Sequence, residues 1–431
     1  MLKISGGRVI DPGYLDGIYD ILVADGKIVD IVANGETTEP GGAVSREIDA
    51  SGKVVVPGLI DMHVHLREPG YEYKETIATG CRAAARGGFT AVCPMPNTSP
   101  VNDRAQICRF MQQQAEKSGV GVRVYPVGAV SIGQAGEELA EYAELKAAGA
   151  VAVSDDGYPV SDDQLMRRAM EYAKGFDLPV ISHCEVLSLV AGGVMNEGLM
   201  ATRLGLPGIP NAAESVMVAR DIALCELTGA ALHIAHVSTA ESVALIRAAK
   251  NRGVPVTAET APHFFMLTDE AVENYDTNAK VNPPLRAETD RMAIREGIAD
   301  GTIDVIACDH APHSVLEKEV EFDAAANGIS GIETSLGLSL SLVQDETIDM
   351  ERLVTMMAVA PARILGVETG LKKGSPADIT IIDPGAVWTV DRGRFISLGK
   401  NTPFHGREIQ GRAGMTIVNG QVVFDGLSDK V

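Results

Sequence analysis

Nine histidines occur in this chain, and eight of them stand at or just after the C-terminal ends of short apolar runs: His63, His65, His183, His233, His236, His263, His310 and His313. His63 and His65 are two residues apart, so on a β-strand both side chains point to the same side. Imidazole and carboxylate groups are the side chains that bind zinc in many catalytic sites. The pattern predicts a metal centre assembled from several strand ends.

Further ligands are expected from the other strand ends, and the candidates are Asp155 or Asp156, His183, His236 and Asp309. His233 and His236 are three residues apart, so they face opposite sides of one strand and only one can enter the site. His236 lies nearer the strand end and is the candidate, whereas His233 is predicted to pack against helices. His263 follows Pro262 and fits a loop-fixing role as well as ligation, so it is left out of the predicted site.

A metal bound by such residues activates water for hydrolysis. Zinc lowers the pKa of a bound water from 15.7 to about 7 and polarises a substrate carbonyl, which suits cleavage of an amide-like bond. Asp309 can contact the metal, hold the proton taken from water and deliver it to the leaving nitrogen. Cys184 and Cys308 stand beside predicted ligands, but strand alternation turns them away from the site, which predicts packing roles rather than a thiol nucleophile.

The elements that position these residues alternate between apolar runs and helical stretches. Eight runs end in polar residues, namely GLIDMHVH, TAVCPMPN, RVYPVGAVS, AVAVSDDG, LPVISHCE, ALHIAHVS, VPVTAETAPH and IDVIACDHAPH. Eight βα units predict a (β/α)8 TIM-type barrel, whose active site lies at the C-terminal ends of its strands. Three of the helices are predicted to begin at capping residues Ser161, Asn211 and Ser238.

Both ends of the chain consist of short strands with tight turns, marked by Asp25-Gly26 and Asn419-Gly420. Because the two ends match in character, they are predicted to build one small β domain together. The predicted organisation is residues 1–56 and 369–431 in that domain, and residues 57–368 in the barrel.

Composition narrows the possible partners and location. The 431 residues carry 37 bases and 58 acids, a formal charge of −21, which repels nucleic acid and anionic lipid surfaces. No apolar run approaches the ~20 residues of a membrane helix. The first residues of the sequence lack the basic-then-apolar order of a signal peptide. The six cysteines form no CxxC pair, which is typical of reduced thiols. We therefore expect a cytoplasmic enzyme acting on a small molecule.

The motifs DMHVHLREPG, PMPNT, SDDG, HVST, NPPLR and ACDHAPH resemble the amidohydrolase superfamily, and specifically the bacterial class I dihydroorotases. The resemblance spans nearly the whole chain. It implies a barrel with a β-sandwich made from both termini, one or two zinc ions, and interconversion of dihydroorotate and N-carbamoyl-L-aspartate in pyrimidine synthesis. It also implies that aspartate carbamoyltransferase is a possible partner, and we expect a homo-oligomer, most simply a dimer.

The resemblance also assigns site residues by motif. The implied metal ligands are His63, His65, Asp156, His183, His236 and Asp309, with Asp309 also the catalytic acid/base. The implied substrate-binding residues are Arg67, Asn97, Asn282, His313, Asn327 and Gly328. The chain departs from the family at one segment, since it has Ala326-Asn327-Gly328 where members usually carry a Pro-Phe-Gly-like stretch.

Two other functions are considered. Hydantoinases, dihydropyrimidinases and allantoinases typically bridge two metals with a carboxylated lysine at the fourth strand end, but here that strand ends in SDDG. The nearest lysines, Lys146 and Lys174, lie in predicted helices. A non-catalytic barrel bound to aspartate carbamoyltransferase would lack ligands that this chain keeps. The acidic stretch from Glu317 to Asp323 fits either a solvated loop or a mobile lid over the barrel mouth.

Overall fold

The structure is a computed structural model that describes residues 1–33 and 44–427. Its strands are β1 (Leu2–Asp11), β2 (Leu15–Ala24), β3 (Lys27–Ala33), β4 (Arg46–Asp49), β5 (Val54–Pro57), β6 (Leu59–Val64), β7 (Phe89–Pro94), β8 (Arg123–Val124), β9 (Val127–Gly128), β10 (Ala152–Ser154), β11 (Val180–Ser182), β12 (Met195–Asn196), β13 (Gly208–Ile209), β14 (Leu232–Ile234), β15 (Val256–Thr260), β16 (Val305–Ile306), β17 (Ile379–Thr389), β18 (Glu408–Val418) and β19 (Gln421–Asp425).

The α-helices alternate with these strands through the middle of the chain. They are α1 (Ile77–Gly87), α2 (Ala105–Ser118), α3 (Tyr142–Ala147), α4 (Asp163–Lys174), α5 (Leu187–Val190), α6 (Leu199–Leu204), α7 (Ala212–Thr228), α8 (Ala240–Asn251), α9 (Pro262–Met266), α10 (Glu288–Ala299), α11 (Val315–Lys318), α12 (Ser335–Gln344), α13 (Met350–Val354) and α14 (Ala360–Leu365). Within the described residues, no helix is both long and apolar enough to cross a membrane.

All eight predicted apolar runs form strands of one parallel barrel. Strands β6, β7 and β8 pair in order, and β9, β10, β11, β14, β15 and β16 form a second parallel series. The third run supplies both β8 and β9, and so belongs to both series. The barrel closes where Val64 bridges His310 and His65 N–H donates to the His310 carbonyl at 2.8 Å. The (β/α)8 prediction is confirmed.

A buried aspartate completes the hydrogen bonds at this closing seam. Asp61 in β6 is fully buried, and its carboxylate accepts from the N–H groups of Cys308 at 3.1 Å and His63 at 3.1 Å. Since β16 ends at Ile306, the Cys308 N–H has no strand partner and would otherwise be buried unpaired. Asp61 thus fixes the backbone beside His63 and next to Asp309.

Both ends of the chain form one eight-stranded sheet. Strand β5 pairs parallel with β1 and antiparallel with β17, so it joins the N-terminal strands to the C-terminal ones. Apolar side chains from both ends, such as Ile4, Ile21 and Ile379, share one buried core. The residues between β17 and β18 leave this sheet, because Phe395 and Phe404 pack beside Leu338 of α12. The predicted domain boundaries at 57 and 368 stay predictions.

Two of the three predicted helix starts are displaced by one residue. The N-caps of α4 and α8 are Asp162 and Thr239, which accept from Leu165 N–H and Ser242 N–H. Helix α7 does begin after Asn211, but no capping box forms there. Its Glu214 carboxylate instead accepts from Ser238 and Thr239 at the end of β14, because that buried turn offers N–H and hydroxyl donors.

Candidate metal centre

Asp156 lies between two pairs of histidines at the C-terminal ends of the barrel strands. Its Oδ2 is 3.3 Å from His63 Nε2 and 3.5 Å from His65 Nε2. Its Oδ1 is 3.2 Å from His236 Nε2 and 3.5 Å from His183 Nδ1. Each carboxylate oxygen therefore faces one histidine pair, and two groups of three ligands share one aspartate.

The choice between Asp155 and Asp156 is decided by hydrogen bonding. The Asp155 carboxylate points away from the histidines and accepts from Val130 N–H, Ser131 N–H and Ser131 Oγ. Burial raises the pKa of Asp155 to about 6. Burial also favours a higher pKa for Asp156, but the neighbouring His63, His183 and His236 outweigh this effect. The pKa of Asp156 is therefore well below its usual value. Asp156 is thus the ionised carboxylate of the centre.

Asp309 approaches the same centre from the eighth strand end. Its Oδ1 lies 3.1 Å from His65 Nε2 and 3.7 Å from His63 Nε2, although it belongs to neither group of three. Burial raises the pKa of Asp309, but the hydrogen bond from His65 and nearby histidines lower it below its usual value. Asp309 is therefore ionised in this arrangement.

Three residues at the site adopt left-handed backbone conformations that non-glycine residues rarely use. The φ angles are +46° at Asp309, +33° at His236 and +62° at Arg67. Such conformations cost of order 1–3 kcal/mol each and cluster at functional sites. The surrounding barrel therefore holds these three residues against a local backbone preference.

The donor set fits a divalent metal. The Nε2 atom of His63 is fully buried and has no hydrogen-bond partner among the described residues, although it points at Asp156 and Asp309. An unpaired buried nitrogen costs free energy unless another group satisfies it. Histidine nitrogens and carboxylate oxygens converge here from five strand ends, and zinc takes ligands of these kinds. The chain therefore provides a metal centre.

Two of the candidate ligand histidines are oriented by a second side chain. His63 Nδ1 lies 2.5 Å from Glu259 Oε1, and His65 Nδ1 lies 2.9 Å from Asn97 Oδ1. His183 Nε2 lies 3.5 Å from Glu185 Oε2 but forms no hydrogen bond with the described residues. An acceptor on the outer nitrogen fixes the tautomer and leaves the inner nitrogen free for a metal. Asn97 therefore orients a ligand as well as lining the cavity.

The cavity above the centre has a volume of about 180 Å³. The structure brings all six predicted substrate-binding residues and five of the six predicted ligands to its wall: Arg67, Asn97, Asn282, His313, Asn327, Gly328, His65, Asp156, His183, His236 and Asp309. His63 lies beneath it, buried. Their roles as ligands and substrate contacts stay predictions, but their convergence on one small cavity is a structural fact.

Arg67 supplies positive charge on one side of this cavity, and His313 lies beside it. The Arg67 guanidinium donates from Nε to the Pro312 carbonyl at 3.2 Å. Lys74 Nζ lies 3.4 Å from His313 Nδ1, and His313 Nε2 lies 2.8 Å from the Asn327 carbonyl. Arg67 Nη2 also lies 3.2 Å from His313 Nε2, so each imidazole nitrogen faces a cationic donor. Burial, together with the charges of Arg67 and Lys74, lowers the pKa of His313 to about 3, so the imidazole is neutral.

The remaining candidates lie outside the centre. His233 is hydrogen-bonded at both nitrogens, to Thr257 Oγ1 and Glu259 Oε2, and His263 belongs to neither ligand group. Cys184 Sγ lies 3.5 Å from Ser182 Oγ and from Asp221 Oδ2, away from the ligands. Burial raises the pKa of Cys184 and Cys308 well above that of an ordinary thiol, so neither is a nucleophile.

Three residues near the site were not found by sequence reasoning. Glu259 carries a weak signal, since it is the acidic residue within the seventh apolar run. Lys318 is buried in a stretch that looked acidic and solvated, and Asn401 comes from the predicted β domain. No pattern in the sequence marks Asn401, because its role depends on how the C-terminal segment packs over the barrel.

The sequence matches known proteins over most of its length. A family model described as Dihydro-orotase-like matches residues 52–242. The dihydroorotase of Desulforapulum autotrophicum is 58% identical over 98% of this chain and 99% of its own. Those of Geobacter metallireducens and Syntrophus aciditrophicus are 56% and 55% identical with the same coverage.

Solved structures share the fold at lower identity. The L-hydantoinase (dihydropyrimidinase) of Arthrobacter aurescens superposes with a TM-score of 0.88 and 28% identity, covering 100% of this chain and 97% of that one. The D-hydantoinase (dihydropyrimidinase) of Thermus sp. gives a TM-score of 0.81 and 26% identity, covering 99% and 96%.

Proposed function

This chain belongs to the dihydroorotase family, and from that premise we propose how its residues interconvert (S)-dihydroorotate and N-carbamoyl-L-aspartate, a step of pyrimidine (UMP) biosynthesis. The observation that carries the proposal is the placement of Asp156, whose two oxygens face separate histidine pairs below one small cavity. The proposed reaction is the hydrolysis of a cyclic amide, and its reverse.

We propose that the centre holds two zinc ions. His63 and His65 would hold one ion and His183 and His236 the other, with Asp156 shared between them. When bound, zinc acts as a Lewis acid and lowers the pKa of water to about 7. Metal analysis of the purified protein tests this proposal, with two equivalents per chain expected; a single equivalent at full activity would contradict it.

Asp309 is proposed as the general acid and base. Its ionised carboxylate sits beside the ligand histidines at the cavity wall, where it can accept the proton of the attacking water. When the ring opens, the same carboxyl group returns that proton to the leaving ring nitrogen. In the reverse direction Asp309 removes a proton from the carbamoyl nitrogen, so one residue serves both directions.

Arg67, Asn97 and His313 are proposed to bind and orient the substrate. An arginine can donate two parallel hydrogen bonds to a carboxylate, which recognises the acid group of dihydroorotate. Asn282 lines the same wall, and its Oδ1 is buried without a hydrogen-bond partner among the described residues, so it is free to accept from the ring. The chain's negative charge makes such local positive groups necessary.

The hydantoinase alternative is not favoured. Enzymes of that kind are expected to bridge their metals with a carboxylated lysine, but here Asp156 lies between the two histidine pairs and would be the shared ligand. Lys174 donates to the Thr228 carbonyl on the barrel exterior and Lys146 lies in α3, so neither reaches the centre. The ligands that a non-catalytic scaffold would have lost are all present.

Turnover of dihydroorotate by the purified, zinc-loaded protein, followed by ultraviolet absorbance, tests the function. Hydantoin and allantoin serve as control substrates, and we expect hydrolysis of dihydroorotate alone. Turnover of hydantoin but not dihydroorotate would overturn the proposal. Activity that appears only after adding aspartate carbamoyltransferase would indicate that the enzyme works in an assembly, and light scattering would show whether it is a homodimer.

A further inference from the structure

The cavity wall formed by Asn327 and Gly328 is fixed through its main chain. Gly328 adopts a φ of +143°, and a Cβ there would lie 2.7 Å from the Ala311 carbonyl oxygen, so only glycine fits. Its N–H donates to the Lys280 carbonyl at 2.9 Å. The Asn327 N–H has no hydrogen-bond partner within the described part of the chain, so it is available to a ligand in the cavity.

Lys318 lies directly behind this wall. Only 3% of the residue is exposed, and its Nζ donates to the carbonyls of Ala326 at 2.7 Å, Gly328 at 3.2 Å and Lys280 at 3.4 Å. Three carbonyls match the three N–H groups of an ammonium. Within the described part of the chain, the hydrogen-bond acceptors of this ammonium are main-chain carbonyls and not carboxylates. Burying an ammonium costs free energy unless it is hydrogen-bonded. The loop conformation that supplies these three carbonyls is therefore favoured over others.

Asn401 holds the same wall from the other side. Its Nδ2 donates to the carbonyls of Gly328 at 2.9 Å and Ala311 at 3.0 Å. Its Oδ1 accepts from the His313 N–H at 2.9 Å. The residue is buried, so these bonds are protected from water. The Gly328 carbonyl thus accepts from Lys318 and Asn401 together, and Asn401 ties it to the turn that carries His313.

We propose that Lys318 and Asn401 are positioning residues that hold the Asn327–Gly328 main chain against the bound substrate and thereby set its affinity. Neither side chain lines the catalytic cavity, so both act through the loop. The inference rests on the proposed function, since it names what recognises the ring of the same substrate. It also gives the acidic stretch around Lys318 a defined role, because the buried Lys318 side chain fixes this segment to the cavity wall.

The test compares Lys318→Met with wild type in dihydroorotate turnover. Met keeps the length of the side chain but removes all three donors. We expect KM to rise by about tenfold or more, as for loss of hydrogen bonds to a charged group, with kcat and metal content little changed. Lys400→Met is the matched control, because Lys400 also donates to two carbonyls, those of Phe395 and Ser397, without contacting this loop. Its KM should equal that of wild type.

Hydrogen exchange supplies a readout that does not need activity. The Gly328 amide should exchange faster in Lys318→Met than in wild type, while core strands such as β7 keep their protection. Slower folding or general loss of protection would indicate a structural role and overturn the proposal, as would an unchanged KM. If Lys318→Met does not fold, Lys318→Gln and Asn401→Ala are measured in the same way, with the same criteria. Failure of wild type to turn over dihydroorotate would instead reject the proposed function.

Discussion

Glu259 Oε1 lies 2.5 Å from His63 Nδ1, so a buried carboxylate of β15 orients a proposed metal ligand of β6. The other oxygen, Oε2, is 3.2 Å from His233 Nε2, and that imidazole is held in turn by Thr257. Burial raises the pKa of Glu259, but the charges and hydrogen bonds of the two histidines lower it to about 2. An ionised Glu259 therefore fixes the proton of His63 on Nδ1.

Replacing Glu259 by Gln should lower zinc affinity by about 10- to 100-fold, the usual cost of losing a residue that orients a ligand. The neutral amide has the same shape but no longer fixes the His63 tautomer. Competition with a chromophoric chelator measures the affinity directly. Glu75→Gln is a suitable control, since Glu75 is equally buried and lies 3.4 Å from His310 Nε2, which is not a ligand. Equal affinities for the two variants would contradict the assignment.

Replacing Asp309 by Ala should reduce turnover by about 10²- to 10⁴-fold, the contribution of a general acid and base. The fold should stay intact, because the two groups of ligands that share Asp156 remain. Circular dichroism and metal content are the controls, and ultraviolet absorbance measures the rate. Retained activity would remove Asp309 from the acid/base role.

Replacing Arg67 by Lys should mainly weaken substrate binding, because the planar fork that can hold a carboxylate is lost. We expect KM to rise by about tenfold or more and kcat to fall less. Steady-state kinetics with dihydroorotate separate the two constants. If KM does not change, the carboxylate is recognised elsewhere.

His313 should make stability depend on pH in the acid range. Burial, followed by the charges of Arg67, Lys74 and Lys318, lowers its pKa to about 3, whereas in the unfolded chain it is about 6.5. As the pH falls from 6.5 towards 3, His313 binds a proton in the unfolded chain but stays neutral in the folded protein. The stabilisation is therefore complete above pH 6.5 and is lost progressively as the pH falls from 6.5 to about 3.

At pH 5 this difference amounts to about 2 kcal/mol, at 1.36 kcal/mol per pKa unit. Urea unfolding of metal-free wild type and His313→Asn, at pH 7 and pH 5, measures it. Wild type should lose about 2 kcal/mol more than the variant between these values. Parallel losses in both proteins would show that His313 titrates normally in the fold.

The barrel and most of the metal centre could be predicted because they follow from local rules. Apolar runs that end in polar residues set the strands, and strand ends of a parallel barrel converge. The spacing of His63 and His65 therefore sufficed to place both at one centre. The choice of Asp156 over Asp155 came from motif resemblance, and in the structure it follows from the Ser131 hydrogen bonds, which alternation alone does not reveal.

The supporting residues could not be predicted, since they depend on contacts between distant segments. Glu259 contacts His63 across the barrel, and Asn401 reaches Gly328 from beyond the predicted barrel boundary. Lys318 is buried although its sequence neighbours are acidic, because the loop folds around its ammonium. The one-residue errors at α4 and α8 have a local cause instead, since adjacent polar residues compete for each cap.

The pairing of β5 with β17 has a consequence for how the polypeptide is made. During synthesis β5 emerges early with one side of its backbone unpaired, and its partner, which begins at Ile379, is translated only after the entire barrel. An uncovered strand edge is a template for intermolecular association. Nascent chains stalled before β17 should therefore aggregate or recruit chaperones, whereas the finished polypeptide conceals that edge with its own tail.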